Sequence, residues 1–219
     1  MPVHLQKEID KLKKQIVLLA GSVEKRVADA VKSIDQRDAQ LAQQIKDTDQ
    51  AIDQTEVEVE EECLKILALY QPVAMDLRFI VAVLKINSDL ERIGDEAVNI
   101  AGRSLNINAY PKIEINFDLK TLARDVMAML KRSLDALVNM DAAMAHAVID
   151  SDDEIDDTVQ KLFQQVKNEI RRQPEKIDYI IEYMRINRHL ERIADHATNI
   201  AEDIVYMIEG KIVRHNYEK

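Results

Sequence analysis

Residues 86–101 read INSDLERIGDEAVNIA, and residues 186–201 read INRHLERIADHATNIA, with eleven of sixteen positions identical. A chain that writes one helical segment twice is constrained to fold as two copies of one unit. The repetition extends upstream. RDAQLAQQIKD (37–47) parallels MDAAMAHAVID (140–150), and DQAIDQT (49–55) parallels DDEIDDT (152–158). The offset is 103 in these earlier blocks and 100 in the later one, so the second copy has lost three residues near its second interhelical turn.

The unit is helical. Four Gly and four Pro in 219 residues leave few breaks, and aromatics are scarce. The bulk is Ala, Leu, Ile, Val and long charged residues, the composition of long helices. Pro72 and Pro174 each precede a long apolar-periodic run, a natural place for a helix start. The Asn-rich stretch NINAYPKIEIN breaks the helical period midway. The expected fold class is all-α, with two pseudo-symmetric three-helix bundles. Helices are expected over 4–34, 37–70 and 72–105, and again over 117–139, 141–172 and 174–209. The domains follow as 1–105, a linker at 106–116, and 117–219. Asp38 and Asp141 are placed to cap the second helix of each unit, and Gly210 to stop the last one.

Charge and cysteine usage narrow the function. The formal net charge is −10, which argues against nucleic acid as a partner, since duplex binding needs a cationic face. No apolar run approaches the ~20 residues needed to span a bilayer. A single Cys63 and no signal peptide point to the reducing cytoplasm. Cys63 lies among Leu64, Ile66 and Leu67 and reads as a core thiol.

At 100° per residue, Glu91, Asp95 and Asn99 fall within about 80° of one another. Leu90, Ile93, Ala97, Ile100 and Ala101 fall on the far side and form the core stripe. Glu191, Asp195 and Asn199 repeat the pattern, and Asp203 extends it by a turn. Carboxylates four residues apart on a helix repel by roughly 0.2–0.5 kcal/mol per pair, and solvent alone does not require the same acids twice. Two carboxylates and an amide on one face suit a hard or borderline cation such as Mg²⁺, Ca²⁺, Mn²⁺ or iron. One strip cannot saturate a metal. The preceding helix offers Asp49 and Asp53 in the first copy and Asp152 and Asp156 in the second, with Asp153 and Asp157 leaving that register open. Arg92 and Arg192, also repeated, read as neutralisers of nearby carboxylates. Arg78 has no counterpart, and its role is open.

Catalytic readings find little. A di-iron bundle needs Glu-x-x-His motifs in its core, and none of the five histidines has a Glu three positions before it. His196 beside Asp195 corresponds to Glu96, and a position that changes between copies is a poor obligatory ligand. No phosphate loop, serine elbow or zinc spacing is present. The chain is not expected to be an enzyme.

The stretches QPVAMDLRFIVAVLKINSDLERIGDEAVNIA (71–101) and INRHLERIADHATNIAEDIVYMIEG (186–210) resemble the PhoU family of phosphate-signalling regulators. The resemblance covers nearly the whole chain. It implies a cytoplasmic, all-helical negative regulator of the phosphate-starvation response. Such a protein connects the Pst phosphate transporter, through its ATPase PstB, to the sensor kinase PhoR. It touches the membrane only through those partners. The resemblance also implies metal, iron above all, with Mn, Mg or Zn as alternatives, at acidic motifs matching Glu91, Asp95, Asn99, Glu191, Asp195 and Asn199. Their partners match Asp49, Asp53, Asp152 and Asp156. A homodimer is expected. The family often follows NIA with Glu, which the second copy keeps as Glu202 while the first has Gly102, so a poorer first site is expected. The competing expectation is a metal-storage or redox protein built on the same carboxylates.

Overall fold

The computed structural model describes residues 3–114 and 118–213. Among these, the chain forms α1 (Val3–Asp35), α2 (Ala39–Asp47), α3 (Gln50–Tyr70), α4 (Ala74–Asn108), α5 (Leu119–Asn139), α6 (Ala142–Asp150), α7 (Asp152–Arg172) and α8 (Ile177–Glu209). A 3-10 turn, Pro174–Lys176, leads into α8. The first unit is α1 to α4 and the second α5 to α8.

Six long helices are present, as expected, when α2 with α3 and α6 with α7 are each counted as one bent helix. The middle helix of each unit is interrupted after its ninth residue, at Thr48 and at Ser151. The cause is local. The Thr48 hydroxyl donates back to the Gln44 carbonyl at 2.9 Å and the Ser151 hydroxyl to Val148 at 2.8 Å. Such back-bonding bends a helix. The bend has a consequence for the acidic residues, since Asp49 and Asp152 sit at the start of the re-aimed segments α3 and α7.

The repeat is visible in the turns. Asp38 accepts the Leu41 N–H and Asp141 accepts the Met144 N–H, so both act as N-caps, each contributing about 1 kcal/mol. The residues before them, Arg37 and Met140, are both left-handed, at φ 53° and 52°. The three-residue deletion falls at Gln71–Pro72–Val73, the turn between α3 and α4, which the second unit replaces with the 3-10 turn. Gly210 closes α8 at φ 72°. Arg78, unassigned from sequence, lies over this end: a Cβ on Gly210 would stand 3.5 Å from its Nε and Cζ. Its charge there complements the negative end of the helix dipole.

α4 runs on to Asn108, past the expected boundary at 105. Ile107 is buried, and the Arg37 guanidinium donates to the Ile107 carbonyl at 3.0 Å and the Tyr110 carbonyl at 2.5 Å, which extends and caps the last turn. The remainder of the expected linker, 106–116, and the expected helix start at 117 fall partly on 115–117, outside the described residues.

The core stripe behaves as the wheel requires. Leu90, Ile93, Ala97, Ile100 and Ala101 are fully buried, and so are Ile193, Ala197, Ile200 and Ala201. Each large aliphatic side chain so buried contributes about 1.5–3 kcal/mol. α1 feeds the same core through Leu5, Ile9, Leu12, Ile16, Leu19, Val23, Val27 and Ala30, spaced three and four apart. Cys63 is buried, and burial pushes its thiol up to about 12. A thiol that stays protonated does not attack disulfides. Native protein is therefore expected to leave Ellman's reagent unreacted and to release one equivalent of thionitrobenzoate after denaturation in urea; rapid reaction of the native state would contradict this burial.

α4 and α8 form the most extensive helix pair and join the two units. They run antiparallel, and polar pairs fix their register. Lys85 meets Asp203 at 3.3 Å, Asp89 meets His196 at 2.8 Å, Glu96 meets His189 at 2.5 Å, and Arg103 meets Glu182 at 3.5 Å. Positions 89 and 189 are equivalent in the repeat, as are 96 and 196. The two acid–histidine pairs are thus one contact made twice across a pseudo-twofold axis, with both acids on α4 and both histidines on α8. This corrects one reading. Asp203 does not extend the outward strip; it is 1% exposed and faces Lys85 across the seam.

Candidate metal centres

The outward strips sit where α3 passes α4 and where α7 passes α8. In the first unit one carboxylate oxygen from each of Asp49, Asp53 and Asp95 lies within 4.8 Å of the other two. Asp49 is half-buried, whereas Asp53 and Asp95 are exposed. Glu91 stands one turn before Asp95 and is half-buried, and Asn99 is exposed one turn beyond. Two helices therefore converge, and the bend at Thr48 aims the Asp49 end of α3 at α4.

The charges are crowded. Partial burial, then the neighbouring Asp49 and Asp53, raises the Asp95 carboxyl above its ordinary value. Glu91 is raised by burial and by Asp95, Glu56 and Asp53. Glu56 is raised in turn by burial, Glu60 and Asp53. In the second unit Asp195 is raised by burial, Glu191, Asp152 and Asp156, and Asp156 by burial, Asp152 and Glu191. Asp152, Asp156, Glu191 and Asp195 thus act on one another as a group. Asn199 is drawn partly toward the seam, with Nδ2 3.5 Å from Asp89 Oδ1.

An all-oxygen donor set of mutually repelling carboxylates fits a hard divalent cation, which would relieve the repulsion that raises these acids. Asp53 and Asp95 in the first unit and Asp156 and Asp195 in the second are exposed, so both strips meet solvent. A cavity of about 650 Å³ between Arg37, Lys120, Met127 and Tyr183 lies elsewhere and is lined by none of the strip residues.

Three neighbours of the strips escaped the sequence reading. Glu56 lies on the Asp49–Asp53 face of α3, one turn after Asp53, and a helical wheel could have found it. Its repeat partner is Val159, so a search for repeated acids passed over it. Arg26 of α1 donates from Nη1 to Asp49 Oδ1 at 2.8 Å and from Nη2 to the Thr48 carbonyl at 2.6 Å. Thr198 donates to Asp152 at 2.8 Å. Neither of these two had a sequence signal, because neither is repeated.

The PhoU domain profile matches residues 16–104 and 119–204. The chain belongs to the PhoU family. The two matched stretches coincide with the two helical units. Among PhoU relatives, a phosphate-specific transport system accessory protein PhoU homolog of Pseudomonas putida is 35% identical over 209 residues, covering 95% of this chain and 82% of the relative. The homolog of Aquifex aeolicus is 35% identical, covering 99% of this chain and 98% of the relative. The crystal structure of PhoU from Pseudomonas aeruginosa superposes with a TM-score of 0.88 at 33% identity, covering 94% of this chain and 99% of that one. The phosphate transport system regulatory protein PhoU from Streptococcus pneumoniae superposes at 0.87 with 28% identity, covering 95% and 99%. The tandem PhoU repeat is therefore the architecture of this chain. No helix among the described residues is long and apolar enough to cross a membrane.

Proposed function

We propose that this PhoU-family protein is a non-enzymatic accessory of phosphate transport and a negative regulator of the phosphate-starvation response, coupling a PstB-type transporter ATPase to a PhoR-type sensor kinase. The observation that carries the reading is near-full-length similarity, 35% over 95% of the chain, to a protein named as an accessory of phosphate-specific transport. The acidic strips are part of the same reading. Glu91, Asp95 and Asn99 with Asp49 and Asp53, and Glu191, Asp195 and Asn199 with Asp152 and Asp156, bind divalent cations, iron or Mn²⁺ foremost. The bound charge shapes the surface offered to partners in the cytoplasm. Solvent-exposed acids on a helix surface suit a few ions that tune that surface better than the bulk loading a storage protein needs. A homodimer sharing ions across apposed strips belongs to the proposal, and sedimentation with and without chelator checks it.

The test is genetic and biochemical. Deletion in the source organism is expected to leave phosphate-starvation genes on in phosphate-rich medium, and tagged protein is expected to retain the transporter ATPase and the kinase. Normal repression in the deletion strain would overturn the regulatory reading.

A further inference from the structure

The net charge of −10 hides an uneven distribution. α1 carries seven Lys and Arg against five Asp and Glu, and α5 four against two, so this pair is +4 and the rest, 19 against 33, is −14. The two helices lie antiparallel side by side, with Lys131 3.9 Å from Glu24 and Lys120 3.4 Å from Asp35. Lys7, Lys14, Lys25 and Lys32 of α1 fall within about 20° of one another on the helical wheel, opposite the buried Ile9, Ile16 and Val23. All four are exposed, and none forms an ion pair with a described residue. They make a straight outer ridge about 38 Å long. Asp10 and Asp29 stand about 50° to either side of it, while Glu24 and Asp35 turn toward α5. Midway along, Leu18 is 70% exposed, and a Cβ on Gly21 would meet nothing within 4 Å. The bundle does not need these charges, because the second unit folds alike with Ala128 and Asp135 at the places of Lys25 and Lys32.

We infer that the lysine ridge of α1 is a peripheral docking surface for an anionic phospholipid bilayer. A line of ammonium groups on a convex ridge, with no acid on it, complements an extended anionic surface. The residue type selects a membrane over a protein. Lysine is depleted from protein interfaces, where its strongly hydrated ammonium must be desolvated, whereas at a headgroup layer it stays wet. Arginine, which suits paired carboxylates, is absent from the ridge. Leu18 adds an apolar contact of the kind the headgroup boundary accepts. The first acidic strip lies round the helix: Arg26, which meets Asp49, stands about 110° from the ridge, and physiological salt screens charges over about 8 Å. No helix among the described residues is long and apolar enough to cross a membrane, so the contact is peripheral. It is independent of the metal reading, and it adds a direct membrane contact to any made through partners.

The test is flotation of the full chain with vesicles of phosphatidylcholine alone, or with about one third phosphatidylglycerol, at about 0.05 M and about 0.5 M salt. Binding is expected only to the anionic vesicles, and is expected to be lost at the higher salt. Each lysine should contribute about fivefold in affinity, so Lys7→Gln/Lys14→Gln/Lys25→Gln/Lys32→Gln should lose roughly a hundredfold or more. Lys46→Gln/Lys161→Gln/Lys167→Gln/Arg171→Gln removes the same charge from exposed positions on α2 and α7, and should weaken binding by less than about threefold. Circular dichroism checks that both variants fold. Equal binding to the uncharged vesicles, a ridge variant that binds like wild type, or two variants that weaken binding alike would each overturn the inference. So would failure to bind either vesicle. Lysine-dependent self-association in sedimentation, without vesicle binding, would also overturn it and give the ridge to the acidic face of a second copy.

Discussion

Glu96→Ala is expected to cost about 3 kcal/mol of stability, because it removes a buried carboxylate that pairs with the half-buried His189 at the seam between the two units. Glu96 is 7% exposed and accepts from His189 at 2.5 Å and from Arg192 at 3.0 Å. Removing one member of such a pair leaves the other buried without compensation, at about 3–5 kcal/mol. For a chain of this size that is a loss of roughly 6–12 °C in Tm. Urea denaturation of wild type, Glu96→Ala and the double variant Glu96→Ala/His189→Leu measures it, and the double variant should recover part of the loss. A change below about 1 kcal/mol, the level of a surface ion pair, would show that the seam is held by apolar packing alone. The pH dependence has a definite sign. Burial opposes the ionised form of Glu96, but the hydrogen bonds from His189 and Arg192 outweigh it and hold the carboxyl below its ordinary value of 4.5. Its contribution is therefore full above that value and is lost as pH falls through the depressed folded one.

Neutralising the strips should act in the opposite direction. In Glu91→Gln/Asp95→Asn/Glu191→Gln/Asp195→Asn, the metal-free protein is expected to be more stable than wild type at neutral pH, and its response to Mn²⁺ to vanish. Glu91, Asp95 and Asp195 have carboxyls raised above 4.5 and 3.8 in the fold. Their ionised forms oppose folding at neutral pH, and that opposition fades as pH falls through the raised values. Metal-free wild type should then gain stability on mild acidification before losing it as Glu96 protonates, whereas the quadruple variant should show only the loss. Mn²⁺ at a hundred times its Kd should stabilise wild type by about 2.7 kcal/mol per site and the variant by nothing. Thermal melts across pH, with and without Mn²⁺, read both effects. If repression of starvation genes survives the quadruple change, the ions are not needed for signalling.

Much of this was legible in one dimension because helix periodicity is a local property. The 3.6-residue step that sorts Leu90, Ile93, Ala97 and Ile100 from Glu91, Asp95 and Asn99 holds wherever the helix is placed. The caps at Asp38, Asp141 and Gly210 depend on backbone only a few residues away, and they were readable for the same reason. The breaks at Thr48 and Ser151 were harder. They depend on a hydroxyl competing for a carbonyl one turn back, and the same residue in many helices leaves the helix straight.

Asp203 shows where local reasoning stops. On the wheel it continues the acidic strip, but the strip of α8 turns gradually into the seam, and the next helix over decides whether an acid meets solvent or Lys85. His196 is a poor ligand candidate in sequence because its counterpart is Glu96, and positions 89 and 189 differ between the copies too. They vary because the seam is made of unlike partners, acids from one copy and histidines from the other, and a pseudo-twofold contact needs complementarity rather than identity. The sequence by itself determined the duplication, the helices, the core stripe and the paired outward acids, since each is set by spacing along one chain segment. Only the tertiary structure decided which acids meet which basic side chains across the seam, and that Arg26 sits on one strip and Thr198 on the other. Those facts depend on distances between residues 22 to 118 positions apart, and no pattern along a single helix encodes them.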